Sequence, residues 1–314
     1  MYKAAQMSLW QGRLDEVEGE LGCRWYQKVQ PYQPEQPEGV AILGFASDEG
    51  VKRNLGRVGA KAGPAAIRKV LANQAWHMAK PVYDAGDVSC DDEALLTAQQ
   101  ELAEQIDRVM QDGHFPLVLG GGHEIGFASW QGINRFAQRQ AQSPRVGIVN
   151  LDAHFDLRDY SEKGSSGTPF KQVAEQCDEQ GTEFLYCCLG VAEGANTPAL
   201  FQRADRLNVS YRLDEDMGVA QLSQTQQQLA EFIERCDWIY LTIDIDVLPA
   251  AVAPGVSAPA ARGVELEVVE ALVKQIKASG KLRLADLAEL NPELDIDQHT
   301  ARTAARLAYL IARA

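Results

Sequence analysis

Short apolar runs rich in β-forming residues alternate with longer stretches of helical spacing, and this alternation restricts the fold more than any other feature of the chain. The runs are GVAILGF (39–45), FPLVLGGG, RVGIVNLDAH, EFLYCCLG, WIYLTIDID and KLRLADLAEL. Helices are expected over 63–76 (with Pro64 near its first turn), 91–113, 125–139, 220–235, 265–279 and 298–313. Strand–helix alternation builds βαβ units, hence an α/β fold with a mainly parallel sheet covered on both faces. Residues 1–38 end in the proline-rich polar link QPYQPEQPEG. They are expected to form an N-terminal extension packed on a single domain spanning 39–314.

Charge and cysteine usage narrow the class. The 314 residues carry a formal net charge of −14, which argues against nucleic acid or an anionic membrane as the main partner. No apolar stretch approaches the roughly 20 residues of a membrane helix, and the N-terminus has no continuous apolar core of a secretory signal. Six scattered cysteines without a CxxC pair read as reduced, structural thiols of a cytoplasmic protein. Alternation sends Cys187 and Cys188 to opposite faces of their strand. His77, His114 and His299 are expected to face solvent, and Phe127 and Trp130 to be core.

Four polar clusters fall directly at the C-terminal ends of expected strands. His123 follows LVLGGG, and Asp152, His154 and Asp156 follow GIVN. Asp244 and Asp246 follow WIYLTI, and Glu289 follows LRLADLA. The ligand crevice of an open α/β sheet lies outside those strand ends. A lone carboxylate there is usually a cap, but four clusters at one edge are hard to obtain from capping. Aspartates so close together need a cation or shared protons to coexist. Four carboxylates and two imidazoles without cysteine suit Mn²⁺ better than Zn²⁺, Fe²⁺ or Co²⁺. Six ligands are too many for one ion with an open position, so two ions are expected. If the chain stays extended past Asp152, then His154, Asp156 and Arg158 continue on one face.

The motifs GGGHEIG, DAHFDLR, DIDVLPAAVAPGVSAPAARG and AELNPELD, with GRVGAKAGPAAIR upstream, closely resemble in order those of the ureohydrolase family of arginases and agmatinases. The resemblance runs from about residue 40 to the C-terminus. It implies a three-layer αβα fold around a mainly parallel sheet of eight strands, with two Mn²⁺ per subunit. His123, Asp152, Asp156 and Asp244 would hold one ion, and Asp152, His154, Asp244 and Asp246 the other. Glu289 would accept hydrogen bonds from the amidine or guanidine end of the substrate.

Departures from the family pattern narrow it further. Ser166 stands where arginases and agmatinases carry a histidine, so that residue's proton-shuttle role does not transfer; Pro249 replaces an acid of the DIDxLDP pattern. DEGVKRNLGRVGA, SSGTPF, GVAEGANTPALF and the arginine two places after Asp156 resemble the formimidoylglutamases of that family. The implied reaction is hydrolysis of N-formimidoyl-L-glutamate to L-glutamate and formamide, a step of histidine degradation. It would proceed by attack of a metal-bridging hydroxide on the formimidoyl carbon, with Asp156 carrying the proton. Charge points the same way. Two divalent ions, four aspartates and a bridging hydroxide leave the metal shell at about −1, so a carboxylate-bearing substrate needs a fixed cation. Arg158 can supply it as a planar fork, with Asn196 and Arg57 as weaker substrate-binding candidates. The alternatives are another amidine or guanidine hydrolase of the family (a guanidino-acid hydrolase or an agmatinase) and, more distantly, a non-catalytic metal-stabilised scaffold. Arg158 disfavours the cationic tail of agmatine. A homo-oligomer is compatible with this sequence, which does not set the subunit number.

Overall fold

The computed structural model describes residues 1–91, 93–160 and 162–313. In chain order its strands and helices are β1 (Tyr2–Lys3), α1 (Trp25–Lys28), β2 (Gln30–Pro31), β3 (Val40–Ala46), α2 (Glu49–Arg53), α3 (Gly63–Ala72), β4 (Val82–Ser89), α4 (Leu95–Gln111), β5 (Phe115–Leu119), α5 (Ile125–Gln138), β6 (Val146–Leu151), α6 (Pro169–Gln180), β7 (Leu185–Val191), α7 (Pro198–Arg206), β8 (Ser210–Leu213), α8 (Leu222–Arg235), β9 (Trp238–Asp244), α9 (Leu266–Ala278), β10 (Leu282–Ala288) and α10 (His299–Ala312). All six expected strands and all six expected helices form, with trimmed ends. Asp92, in the helix expected over 91–113, and Ala314, at the end of the expected domain, lie outside the described residues.

Eight parallel strands run in the order β4-β3-β5-β10-β9-β6-β7-β8. The sheet is larger than the eight strands expected, because residues 1–38 add two short ones. β2 pairs parallel with Tyr83 and Asp84 of β4, and β1 pairs antiparallel with Asp87 and Val88. These pairings cover an edge that would otherwise present bare backbone groups. The same segment buries Trp10, Trp25 and Val29 against α3 and α10.

Two apolar layers flank the sheet. One gathers Ile67 and Leu71 of α3, Leu229 of α8, Val268 and Leu272 of α9 and Leu307 of α10. The other gathers Leu102 and Ile106 of α4, Ile133 of α5, Phe170 of α6 and Leu200 of α7. Strand alternation decides the assignment: Cys187 enters the first layer and Cys188 the second. All six cysteines are free thiols. Phe127 and Trp130 are buried as expected, but His114 is not solvent-facing. It is buried between Tyr32 and Tyr83, where its Nδ1 accepts the Gly39 N–H.

The consequence for function lies in the strand order. β5, β10, β9 and β6 are neighbours at the centre of the sheet. The four polar clusters follow these four strands, so their C-terminal ends bring all the ligand-type residues over one crevice. No helix among the described residues is long and apolar enough to cross a membrane.

Candidate metal centre

His123 arrives from β5 through three glycines. A Cβ on Gly121 would lie 1.8 Å from the Ser47 carbonyl oxygen, so only glycine lets this loop pass so close to its neighbour. The loop is tied to β10 by Gly120 N–H, which donates to the Leu287 carbonyl at 2.6 Å, and to the residue just after that strand at two further points. Glu289 N–H donates to the Gly121 carbonyl at 2.7 Å, and His123 N–H donates to Glu289 Oε1 at 2.9 Å. Glu289 sits in the left-handed region at φ 69°. Its Oε2 is buried without a hydrogen-bond partner.

The His123 ring is 1% exposed and lies 3.0 Å through Nε2 from the Thr242 hydroxyl. Its Nδ1 faces Asp152 Oδ2 at 3.1 Å, Asp156 Oδ2 at 2.9 Å and Asp244 Oδ2 at 3.1 Å. Next to this group, His154 Nδ1 faces Asp246 Oδ2 at 3.1 Å and Asp152 Oδ1 at 3.5 Å. His123, Asp152 and Asp244 form one set of convergent donor atoms; Asp152, His154 and Asp246 form a second. Asp152 belongs to both.

The convergence does not come from an extended strand. β6 ends at Leu151 and the chain bends at once, with Asp156 at φ 49°. The expectation of one alternating row from Asp152 to Arg158 is therefore corrected: a folded loop brings these side chains together. Asp152 anchors it by accepting His154 N–H at 2.7 Å and the Asn150 amide at 2.9 Å. Asp244 Oδ1 similarly accepts Asp246 N–H at 2.9 Å.

Electrostatics identify what this arrangement needs. Burial, then the Asp152 charge, pushes the Asp156 carboxyl up to about 6. Burial, then Asp246 and Asp152, holds Asp244 well above the usual carboxylate range. Burial pushes Asp152 the same way, but the adjoining His123 and His154 rings overcome it and lower the carboxyl. Burial disfavours charged His123, yet its three carboxylate neighbours hold it well above an ordinary histidine. Burial, followed by the Glu124 charge, raises Glu289 to about 8. Among the described residues no lysine or arginine pairs with these five carboxylates. His123 Nδ1, although surrounded by oxygens, makes no hydrogen bond. An orphaned imidazole nitrogen amid carboxylate oxygens is the donor set of a divalent cation, and its hard character fits Mn²⁺.

A cleft of about 390 Å³ opens over the cluster, lined by His123, His154, Asp156, Asp244, Asp246 and Glu289 on its floor and by Arg57, Arg158 and Ser166 higher up. Arg158 N–H donates to the Gly167 carbonyl at 2.8 Å. No carboxylate among the described residues pairs with its guanidinium, since adjacent Asp159 pairs with Arg203 at 3.3 Å. Arg57 reaches the same cleft, with Nε and Nη2 donating to the carbonyls of Ser257 and Val256 at 2.9 and 2.7 Å. Asn196 does not line the cleft. It is buried and spends its amide on backbone, which corrects its assignment to substrate. Sequence reasoning missed Asn54, the last residue of the VKRN stretch, which lines the cleft. It also missed Thr242, whose hydroxyl orients His123. A polar residue two places before a ligand on the same strand face was the available signal for Thr242.

Comparison with known proteins agrees with this geometry. The model of the arginase family matches residues 38–312. A formimidoylglutamase from Aeromonas hydrophila subsp. hydrophila is 60% identical, the match covering 98% of each chain. One from Chromobacterium violaceum is 54% identical, again over 98% of both. Among solved structures, formiminoglutamase from Trypanosoma cruzi with Mn²⁺₂ superposes with a TM-score of 0.77 at 25% identity, covering 90% of this chain and 95% of that one. Formimidoylglutamase from Bacillus subtilis has the same fold, with a TM-score of 0.79 at 23% identity over 92% and 90% of the two chains. The chain belongs to the arginase family.

Proposed function

We propose that this protein is a formimidoylglutamase, hydrolysing N-formimidoyl-L-glutamate to L-glutamate and formamide with a pair of Mn²⁺ ions. The observation that carries the reading is Arg158: an arginine with no carboxylate partner among the described residues stands in the same cleft as a carboxylate-rich metal cluster. A substrate with a cationic amidinium at one end and carboxylates at the other satisfies both. Near-full-length identity to formimidoylglutamases supports the same choice. Six free thiols fit a reducing, cytoplasmic setting.

His123, Asp152, Asp156 and Asp244 would hold one ion, and Asp152, His154, Asp244 and Asp246 the other. Once bound, such a pair supplies an activated water and a Lewis-acid surface for the amidine. The chain's own residues do the rest. Glu289, fixed by the His123 N–H on Oε1, keeps Oε2 free to accept from the amidinium. Arg158 clamps a carboxylate of the glutamate moiety, and the remaining N–H groups of Arg57 reach the same space. Asp156, at the edge of the His123 cluster and open to the cleft, takes the proton from the attacking water and passes it to the departing amine. Water adds its oxygen to the formimidoyl carbon, the bond to the glutamate nitrogen breaks, and that nitrogen leaves as an amine.

The test is a substrate panel on Mn²⁺-loaded protein: formimidoylglutamate, a formimidoyl amine without carboxylates, arginine, agmatine and guanidinobutyrate, reading formamide and urea separately. Formamide from formimidoylglutamate is the expected product. Faster release of urea from a guanidino substrate would replace this reading with guanidine hydrolysis.

A further inference from the structure

The two halves of the metal centre are held in place by different means. His123 is fixed through its ring, enclosed on all sides and 3.0 Å from Thr242. His154 has a ring 23% exposed to solvent, and its placement depends on the backbone that carries it. That backbone is gripped from the neighbouring loop after β7. Asn196 is 6% exposed, and its carboxamide uses each of its groups on main chain. Oδ1 accepts the Phe155 N–H at 3.1 Å, and Nδ2 donates to the carbonyls of Ala153 and Ala192 at 2.9 Å each. One side chain thus holds the residue before His154 and the residue after it. Exchanging the amide's oxygen and nitrogen would set two donors against each other at Phe155, so its orientation is fixed.

Other bonds complete the grip. Ala192 N–H also donates to the Ala153 carbonyl at 2.9 Å, Cys188 Sγ to the His154 carbonyl at 3.2 Å and the Tyr186 hydroxyl to the Phe155 carbonyl at 3.0 Å. These three act on single carbonyls. Asn196 alone among them bridges both sides of His154 and ties that bridge back to β7's own loop.

We propose that Asn196 is a positioning residue that sets the affinity of the His154 half of the metal pair, leaving the His123 half to its own enclosure. The inference rests on the metal reading above. Apart from the carboxylates that share its cluster, His154 is aimed by its backbone, and it loses direction when that backbone is released; outer partners of metal ligands are typically worth 10- to 100-fold in affinity. The Asn196 carboxamide does not line the cleft and is spent on backbone, so its effect is exerted through His154.

Mn²⁺ titration of the metal-free protein, followed by calorimetry and by electron paramagnetic resonance, tests this. The wild type should take up two Mn²⁺ per chain. In Asn196→Ala one binding step should stay at its wild-type affinity, which also reports an intact fold. The other should weaken on the order of 10- to 100-fold. The exchange-coupled signal of the pair should then appear only at correspondingly higher Mn²⁺. If Asn196→Ala is recovered unfolded, Asn196→Asp carries the test. It fills the same volume and keeps the acceptor for Phe155 N–H, but turns a carboxylate oxygen toward two carbonyls. Unchanged affinities at both steps, or equal weakening of both, overturn the proposal. A wild type that binds fewer than two Mn²⁺ overturns the metal reading itself, and the two failures are thereby told apart.

Discussion

Around Arg68, a guanidinium withdrawn from water meets Asp84 at 2.9 Å and Asp87 at 2.6 Å, and the Trp10 indole donates to the same Asp84 carboxylate at 2.6 Å. Around His123, four aspartates and a glutamate are also buried, yet no lysine or arginine among the described residues reaches them. The first cluster is nearly self-sufficient. It joins α3, β4 and the N-terminal segment, and its hydrogen bonds extend to Gly86 N–H and carbonyl. The second holds five carboxylates against the two imidazoles of His123 and His154, more negative charge than the described residues offset. Burying unpaired charge is costly unless a partner arrives. The contrast separates two uses of buried ions: the paired one is architecture, and the unpaired one is a binding site.

Asp244→Asn should break that contrast most visibly. Removing one carboxylate that serves the cluster should abolish the Mn²⁺ pair and bring turnover to background. In chelator, however, the same change should raise unfolding stability, on the order of 1 kcal/mol, because it relieves repulsion with Asp152 and Asp246. Thermal melts with EDTA and with saturating Mn²⁺ should therefore cross, the variant melting higher in the first and the wild type in the second. A variant less stable under both conditions would mean that the aspartates support the fold as well as the metals. Arg68→Ala should behave oppositely. It strands Asp84 without its cation and should cost about 3–5 kcal/mol in denaturant melts. Mn²⁺ stoichiometry of the folded fraction should stay at two. A loss below about 1 kcal/mol would show that Asp84 finds a substitute partner, and the comparison would lose its structural half.

These two clusters were not equally legible in the sequence. Every candidate ligand could be located because strand ends in a parallel sheet are easy to find and carboxylates after an apolar run stand out. The Arg68 cluster hid a strand instead. β4 reads VYDAGDVS, and its two aspartates, needed for Arg68, make it look like a loop. β8 was missed for another reason: four half-buried residues at the sheet edge carry too little pattern. α6 and α7 begin at Pro169 and Pro198, inside stretches that drew attention as motifs. Asp156 shows the limit within the site itself. The alternation argument pointed to a residue that the structure places 2.9 Å from His123 Nδ1, but the chain reaches that place by a left-handed turn, which depends on tertiary contacts that periodicity does not carry. Asn196 was visible as a polar residue near the site, and only its hydrogen bonds reveal that it faces backbone.

Arg158 is a third case, a cation with which no carboxylate among the described residues pairs. If it awaits the substrate as the aspartates await metal, Arg158→Ala should lower kcat/KM for formimidoylglutamate about 10- to 150-fold, since a charged hydrogen bond is worth about 1.5–3 kcal/mol. Arg158→Lys should recover only part, keeping charge without the fork. A formimidoyl amine lacking carboxylates should be hydrolysed equally by wild type and variant. Equal slowing of both substrates would make Arg158 structural.

The smallest expected effect lies at the edge of the Arg68 cluster. Trp10 gives Asp84 one hydrogen bond and stacks on Trp25 with ring centroids 6.5 Å apart. Trp10→Phe deletes the indole N–H and keeps much of the stacking area, so it isolates the bond from the burial. Asp84 Oδ2 still faces Arg68 Nε at 2.9 Å, and Oδ1 keeps the Gly86 N–H and Arg68 Nη2, so the carboxylate is not stranded. The loss should therefore sit toward the lower end of a charged hydrogen bond, about 1–2 kcal/mol. Because the bond ties the N-terminal segment to β4, the loosening should be local. Hydrogen exchange at β1 and around Trp10 should quicken before exchange in β9 or β10 does, and turnover should hold. If β9 and β10 loosen equally, the N-terminal segment is an integral part of the core and the two charge clusters are mechanically coupled.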